Sequence, residues 1–299
     1  MFSKFRRLAY YGRMFLENVR AQKKQMRHAE SRFLYEANRR ILTTDYQSEE
    51  IEQNDIIISF TTHRERIHYV HYVLDSLFFQ TIRPQEVRLY LTQGEYQSLP
   101  KVLKKFGSWL KIIEVEDLGT FKKFIPALQD VSRHQTLISL DDDLIYPPDF
   151  VQKLVDLKAR HRNAMVSFIS SRDKKTGRFG GVSGCGVLWN LEIFNPKSLP
   201  YFFKKECFID AMGIRNNDDS WISNSCLELG VPIEAVYENF LDAFREGLIS
   251  LPSGKIHAVT SAPSEFNITG ARIKNEHVRK IIRDALQERS LKELKSQGQ

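Results

Sequence analysis

The alternation of short apolar runs with helical stripes between residues 55 and 140 constrains this chain more than any other feature. Its first run, Asp55 to Phe60, is short, continuous and β-branched, which is typical of a strand buried on both faces. The apolar residues from Ile67 to Phe78 then recur every three or four positions and indicate a helix. The alternation continues with a strand at Glu86 to Thr92, a helix near Leu99 to Phe106, a strand at Lys111 to Glu116, a helix near Phe121 to Val131 and a strand at Gln135 to Leu140. We therefore predict an α/β fold with a mixed, mostly parallel sheet covered by helices.

The length of 299 residues, of which 42% are hydrophobic, is enough for one sizeable core with an appendage. We predict a helical extension over residues 1–50 and a single domain over residues 51–299. The alternating half of that domain spans about 55–160, and a second half, richer in glycine turns and aromatic residues, spans about 161–299. Because ligands of such sheets bind beyond the carboxyl ends of the strands, the residues that follow each strand are the candidates for a site.

The N-terminal extension carries most of the basic charge. Residues 1–40 contain eleven Lys and Arg but only three Glu, whereas the whole chain has a formal net charge of +7. Its apolar residues fall mostly on helical steps: Phe5, Leu8, Phe15, Val19, Met26, Phe33, Ala37 and Ile41. Such a helix can lie in the headgroup layer of an anionic membrane, where each Lys or Arg contributes about 1 kcal/mol. The alternative is a helix packed on the body, or on another copy of the chain, with a solvated basic face.

Composition also bears on the compartment. No apolar run approaches the roughly 20 residues that a spanning helix needs, and Met1 to Arg20 lacks the apolar core of a secretory signal. The three cysteines, Cys185, Cys207 and Cys226, show no CxxC spacing, which fits a reducing compartment. We therefore expect a cytoplasmic protein held peripherally on the inner face of the cytoplasmic membrane. The balanced charge of the body speaks against a nucleic-acid partner.

Three adjacent carboxylates follow the fourth predicted strand. Asp141, Asp142 and Asp143 come directly after it and precede Tyr146 and two prolines. Carboxylates this close repel one another in a dry site, so a positive partner must compensate them. Mg²⁺ or Mn²⁺ uses one or two protein carboxylates while phosphate oxygens supply further ligands. If strand geometry continues, Asp141 and Asp143 point one way and Asp142 the other. The alternative is an acidic turn with Asp149 as a helix cap.

In this context the sequence resembles a family. The apolar strand, Asp-x-Asp and Tyr-Pro are similar to the GT-A fold glycosyltransferases, specifically the family 2-like bacterial enzymes of lipopolysaccharide and capsular polysaccharide assembly. Four further segments agree with the family in order: Ile56 to Ile67, Gly119 to Leu128, Gly184 to Trp189, and Asn217 to Ile222. The resemblance covers residues of about 55–285 and implies a Rossmann-like GT-A sheet, with a nucleotide-binding half and an acceptor-facing half.

The resemblance also implies roles for individual residues. The nucleotide-sugar donor would be bound by Thr61, Thr62, Arg66, Asp117, Lys123, Asp141 and Asp142. The loop beside the donor sugar and acceptor would contain Gly184, Gly186 and Trp189. The divalent metal, Mn²⁺ or Mg²⁺, would be held by Asp143 and Asp141, with His257 as a further ligand; a lone histidine is more often a packed or surface residue. Lys122 is the less favoured of the two lysines for the donor phosphates.

The implied reaction is hexosyl transfer from a nucleotide-diphosphate sugar, with UDP as the family-level expectation, to a glycan or lipid-linked saccharide. It builds negative charge on the leaving phosphate, and a base must deprotonate the acceptor hydroxyl. In family 2-like enzymes this base is the carboxylate of the motif that starts at Asn217, and the anomeric configuration inverts. We expect Asp219 to be the base, with Asp218 as the other candidate, and one of the two to cap the helix that follows.

Two other classes compete with this interpretation. A phosphohydrolase of the haloacid dehalogenase type also places Asp-x-Asp at a strand end, but after the first strand. A non-enzymatic membrane or nucleic-acid binding module could use the basic extension. Neither a P-loop nor a Gly-x-Gly-x-x-Gly turn after a strand is present, which excludes the usual nucleoside triphosphatase and dinucleotide signatures.

Overall fold

The structure, a computed structural model of the chain, describes residues 28, 30–172, 177, 179–199, 203, 218–251, 280 and 283. The helix predicted for residues 1–27 lies outside these ranges, as do Cys207, His257 and Asn217. Among the helices that the structure describes, none is both long enough and apolar enough to cross a membrane.

The predicted mixed, mostly parallel sheet is confirmed. Its strands are β1 (Ile56–Thr61), β2 (Glu86–Thr92), β3 (Leu110–Val115), β4 (Thr136–Ser139), β6 (Met165–Ile169), β7 (Val187–Leu188) and β8 (Ile233–Tyr237), while β5 (Leu144–Ile145) and β9 (Ile249–Ser250) form a separate pair. The seven-stranded sheet has the order β3-β2-β1-β4-β7-β6-β8, whose first half is Rossmann-like. In the described sheet β7 is antiparallel to both of its neighbours and the other pairs are parallel.

Helices connect these strands. They are α1 over residues 30–43, α2 (Val70–Phe78), α3 (Ile125–Asp130), α4 (Phe150–Arg160), α5 (Asp218–Glu228) and α6 (Phe240–Arg245), with 3₁₀ turns at Arg64–His68, Lys101–Trp109 and Gly119–Lys123. The helix predicted near Leu99 to Phe106 is therefore a run of 3₁₀ turns, and Gly107 breaks it with a φ of 55°. The helix predicted from Phe121 begins as a 3₁₀ turn, and α3 starts only where Pro126 can occupy its first turn.

The sheet is covered on both faces, because successive residues of β1 point to opposite sides. Ile58 lies in a core cluster with α2 and α4, whereas Ile57 lies in a second cluster with α3 and α5. Side chains such as Leu74 and Trp221 are completely or almost completely buried. Burial of a large apolar side chain contributes about 1.5–3 kcal/mol, so these two layers hold the strand ends in fixed positions.

Helix α1, the described part of the basic extension, packs on the body. Ala37 and Ile41 are buried in the same cluster as α2, and Tyr46, just after the helix, is buried with them. Arg40 forms an ion pair with Asp75, whose side chain is fully buried. The hydroxyl of Tyr46 donates to the same carboxylate at 2.7 Å. This end of the extension is therefore fixed to α2.

Candidate active site

The carboxyl ends of β1 and β4 meet at the point where the strand order changes direction. From β1, the chain continues to β2 and β3 on one side of the sheet and returns to β4 on the other. Such a switch point is where α/β sheets bind their ligands. Five carboxylates and two basic side chains come together in this region and are called the acidic cluster below: Asp141, Asp142, Asp143, Asp218, Asp219, Arg66 and Lys123.

The acidic turn at residues 141–143 is fixed by its backbone. Strand β4 ends at Ser139, so the strand geometry assumed from the sequence does not continue through the three aspartates. Instead, the hydroxyl of the buried Tyr146 donates to the carbonyl oxygen of Asp141 at 3.0 Å. The N–H of Leu251 donates to the carbonyl oxygen of Asp143 at 2.9 Å. These two hydrogen bonds hold both ends of the turn. In this arrangement Asp142 and Asp143 lie close enough to share one basic partner.

That shared partner is Arg66, from the 3₁₀ turn that follows β1. Its guanidinium forms an ion pair with Asp142 and lies 3.1 Å from the carboxylate of Asp143. Burial raises the pKa of Asp142 to about 7, although the Arg66 charge and the neighbouring Thr62 act in the opposite direction. The second carboxylate oxygen of Asp142 is buried without a hydrogen bond in the described chain. Thr62 and Arg66 thus lie beside the acidic turn.

Lys123 links the acidic turn to helix α5. Its ammonium group lies 2.7 Å from Asp141 and 2.5 Å from Asp218, and the side chain is almost completely buried. Its backbone is held by Ser59 of β1, whose hydroxyl donates to the Lys123 carbonyl at 2.6 Å. Burial alone would lower the pKa of Lys123, but the charges of Asp141, Asp218 and Asp219 raise it well above its ordinary value. Lys123 is therefore a fixed cation.

Asp218 and Asp219 both lie in the first turn of α5. Asp218 is the first residue of α5 that the structure describes, so the cap expected at one of the two aspartates stays a prediction; both carboxylates lie near the positive end of the helix dipole, which favours them. Burial, followed by the negative charge of Asp218, raises the pKa of Asp219 to about 7. Its Oδ1 atom is buried and makes no hydrogen bond to the residues that the structure describes. Asp219 therefore has the pKa and the unused oxygen of a general base.

The glycine loop before β7 touches the acidic turn because β7 pairs with β4. Val187 is the register partner of Ser139, so the residues before Val187 lie beside those after Ser139. A Cβ atom at Gly184 would stand 2.2 Å from the Oδ2 atom of Asp141. At Gly186, where φ is 147°, it would stand 2.6 Å from the ring of Phe150. Gly184 thus borders the acidic cluster, whereas Gly186 is required by packing.

Trp189 does not line a sugar-facing loop, which corrects the sequence-based assignment. It is 3% exposed and stacks on Phe124 with ring centroids 5.1 Å apart. Its indole N–H donates to the hydroxyl of Ser139 at 2.8 Å. The residue follows β7 directly, and its side chain is part of the core cluster with α3 and α5. Trp189 therefore fixes the end of β4 from inside the protein.

Asp117 and Lys122 form a second polar group, at the ends of β2 and β3. The Lys122 ammonium donates to Asp117 at 3.0 Å and to the hydroxyl of Thr92 at 2.6 Å, and Asp117 also accepts from the N–H of Gly119. Thr61 is occupied differently, since its hydroxyl donates to the carbonyl of Tyr90 at 2.7 Å. The two lysines of this segment thus serve different groups, and only Lys123 reaches the acidic cluster.

The donor set of the acidic cluster suits a divalent cation. Five carboxylates face two basic side chains, so Arg66 and Lys123 supply part of the compensation that the sequence argument assigned to a metal alone. In the described chain no group of three or more His, Cys, Asp or Glu side chains is already arranged to hold a metal. Mg²⁺ and Mn²⁺ need only one or two carboxylates when phosphate and water complete the shell. Asp141 and Asp143, with side chains 39% and 25% exposed, meet that need.

Three residues without a role in the sequence-based prediction support the site. Tyr146 and Leu251 hold the acidic turn, and Ser223 ties α5 to the glycine loop by accepting from the N–H of Val182 at 2.9 Å. Tyr146 was visible in the Tyr-Pro pattern, but without a role. Leu251 and Ser223 act through contacts between distant segments, for which the sequence carries no local signal.

Comparison with known proteins gives a limited result. No family model matches the chain, and neither does any curated protein. A mannosyltransferase from Pyrobaculum calidifontis, solved with GDP-Man and Mn²⁺, is 14% identical, with 91% of this chain and 85% of that chain covered at a TM-score of 0.41. A 4-diphosphocytidyl-2C-methyl-D-erythritol synthase from Anaerococcus prevotii is 10% identical, covering 66% of this chain and 96% of that chain at 0.41. GalNAc-T7, solved with UDP, GalNAc and Mn²⁺, is 17% identical, with 39% of this chain and 22% of that chain covered at a TM-score of 0.32. At these TM-scores, function has to be judged from the site itself.

Proposed function

We propose that this chain is a metal-dependent glycosyltransferase that moves a hexose from a nucleotide-diphosphate sugar to a glycan or lipid-linked saccharide. The observation that carries the proposal is the acidic cluster at the switch point of the sheet, in which Lys123 joins the Asp-x-Asp turn to the two aspartates of α5. This arrangement combines groups for a diphosphate with a candidate base. The resemblance to family 2-like GT-A enzymes of lipopolysaccharide or capsule assembly agrees with it.

Binding of the donor diphosphate is assigned to the basic side chains and to the metal. A guanidinium such as that of Arg66 suits phosphate oxygens, and Lys123 remains charged at all relevant pH values. Asp143 and Asp141 would hold Mn²⁺ or Mg²⁺. When bound, such an ion stabilises the negative charge that develops on the leaving diphosphate. Thr62, which follows β1, and Asp117, which follows β3, would contact the nucleoside.

The acceptor hydroxyl is assigned to Asp219. Its Oδ1 atom would take the proton as the hydroxyl oxygen bonds to the anomeric carbon, and the bond from that carbon to the diphosphate would break on the opposite face. Attack from the face opposite the leaving group inverts the anomeric configuration. A carboxylate with a pKa of about 7 is well matched to this task at neutral pH. Asp218, paired with Lys123, would keep the helix start in position.

The position of the acidic turn speaks against the phosphohydrolase alternative. In that class the Asp-x-Asp motif follows the first strand, whereas here it follows β4, beyond β1 in the sheet.

The experiment that tests the proposal is a thermal-shift screen with UDP-, GDP- and dTDP-sugars, each with and without Mn²⁺. A ligand that binds only the folded state raises the unfolding temperature. We expect one nucleotide series to stabilise the chain when Mn²⁺ is present, and the same sugar to be released or transferred on incubation. The Asp143→Ala variant serves as the control, since it should lose the metal-dependent part of the shift. A chain that responds to none of the donors, with or without metal, would refute the proposal.

A further inference from the structure

The outward face of α1 combines basic and apolar side chains, and Arg32 on this face forms an exposed ion pair with Glu36 of the same helix. Tyr35 is 73% exposed and Leu42 is 78% exposed, although the opposite face of the same helix is buried against the body. Arg32 and Arg39 are exposed on the same side, so the four residues follow one another at steps of three and four. Such a mixture of large apolar and cationic side chains on one helix face is typical of helices that lie in a membrane interface.

We propose that this face, Arg32, Tyr35, Arg39 and Leu42, docks on the headgroup layer of an anionic lipid bilayer. Charge complementarity selects this occupant, because the 27 residues that precede the described helix contain eight Lys and Arg and one Glu in the sequence. Each Lys or Arg near an anionic leaflet strengthens binding about fivefold. Apolar side chains as exposed as Tyr35 and Leu42 add insertion below the headgroups, which a purely electrostatic partner does not require.

The docking face is rigidly connected to the body. The buried pair of Arg40 with Asp75, together with the Tyr46 hydroxyl, fixes α1 to α2. A surface held in this way orients the whole protein on the bilayer, whereas a flexible tether would not.

The direction of α1 relates the docking face to the acidic cluster. Contacts advance in the same order along α1 and α2, because Asn38 accepts from Tyr72 while the later Arg40 pairs with Asp75. Helix α2 follows β1 and therefore starts at the carboxyl edge of the sheet, where the acidic cluster lies. The start of α1, to which the basic segment is joined, lies toward that edge. On the proposed function, an acceptor carried by a lipid would approach the site from the same side.

Vesicle sedimentation of the full-length chain tests the inference without donor or acceptor. Phosphatidylcholine vesicles, with and without phosphatidylserine, are the probe. We expect binding only with phosphatidylserine, weakening as salt rises. Arg32→Gln with Arg39→Gln should weaken it about 25-fold, and Tyr35→Ser with Leu42→Ser should weaken it at unchanged net charge. The matched control is Arg160→Gln with Arg162→Gln, an equal change on exposed residues at the amino edge of β6, which should leave binding unaltered.

The outcomes separate this inference from its competitors. Absence of binding to anionic vesicles, or equal losses in the Arg32/Arg39 and Arg160/Arg162 variants, would overturn it. Tighter binding to duplex DNA than to vesicles, with the same variants affected, would assign the face to nucleic acid instead. Transfer to a soluble acceptor, measured separately, should persist in the docking variants. Loss of vesicle binding with retained transfer in the docking variants therefore supports the docking face. Absence of transfer in a chain that still binds vesicles counts against the proposed function alone.

Discussion

Replacement of Gly184 by alanine isolates the contact between the glycine loop and the acidic turn. The φ angle of Gly184 is not in the left-handed region, so the backbone accepts alanine and the obstacle is space alone. The new Cβ would lie 2.2 Å from Oδ2 of Asp141 and 2.7 Å from its Cγ, so that the carboxylate or the loop has to withdraw by roughly 1 Å. A misplacement of this size at a reacting group costs about 10²-fold in turnover.

The fold should tolerate the same change. The Asp141 carboxylate is 39% exposed and can rotate toward solvent, while Lys123 keeps its contact with Asp218. Overpacking and the smaller unfolded-state entropy of alanine act in opposite directions, which leaves a net loss of about 1 kcal/mol in the free energy of unfolding. Gly180→Ala is the matched control, because its Cβ would meet only the carbonyl of Ser171 at an ordinary 3.6 Å.

The assay compares both variants with the wild type for transfer from the donor that the thermal-shift screen identifies. We expect Gly184→Ala to lose about 10²-fold in kcat with only the small fall in urea midpoint that a loss of about 1 kcal/mol causes, and Gly180→Ala to keep both. Full activity in Gly184→Ala would refute the reasoning, since Asp141 would then not need its present position. Unfolding of Gly184→Ala would show that the loop, and not the carboxylate, is the rigid partner.

The remaining predictions concern the carboxylates. Asp219→Asn should bind the donor normally in calorimetry but turn over about 10²- to 10⁴-fold more slowly in the transfer assay. The kcat of the wild type should rise with pH through about 7, and a kcat that does not change with pH would exclude Asp219 as the base. Asp143→Ala should abolish metal-dependent donor binding by calorimetry, and normal affinity would disprove its role as a ligand. Burial raises the pKa of Asp219 and Asp142 to about 7 from 3.8, so the folded state holds protons that the unfolded chain releases. The free energy of unfolding without metal should therefore fall as pH rises between about 4 and 7, by about 1.4 kcal/mol per pKa unit at most. Greater stability at roughly pH 8 than at roughly pH 5 in urea unfolding would contradict this. Asp75→Asn should lower the free energy of unfolding by about 1.5–3 kcal/mol, whereas Glu36→Gln, in the exposed pair of α1, should not change it measurably.

The order of strands and helices up to β4 could be predicted from the sequence because each element there is long enough to show its own periodicity. Five apolar or β-branched residues among six suffice to identify β1, and the stripe through Leu74 identifies α2. The two-residue strands β5, β7 and β9 carry no such signal. They form because they pair with neighbouring strands. The antiparallel β7, which brings Gly184 to Asp141, depends wholly on its pairing with β4 and β6.

The acidic turn could be located from the sequence, but its partners could not. A run of three aspartates after a strand has few physical explanations, whereas the identity of the compensating cations depends on how β1, α3 and α5 pack together. Adjacent lysines at 122 and 123 look alike in the sequence, and the 3₁₀ turn that precedes α3 decides which of them reaches Asp141. Trp189 was misassigned for the converse reason, since a large aromatic residue near a glycine loop has the same pattern whether it faces a ligand or the core.

The ion pairs of the acidic cluster imply that metal and donor should bind together. In the structure, Arg66 and Lys123 are held by carboxylates, and both would have to share their charge with a diphosphate. A diphosphate that binds without a metal would weaken these pairs and leave buried aspartates uncompensated, which is costly at low dielectric. A divalent ion that binds alone faces Arg66 3.1 Å from Asp143 and has to compete with its charge. The ion and the diphosphate each lower the electrostatic cost of binding the other. The ion supplies positive charge to the carboxylates, and the diphosphate supplies negative charge to the basic side chains. Their binding free energies should therefore be coupled, and by linkage Mn²⁺ should raise donor affinity by the same factor by which the donor raises that of Mn²⁺.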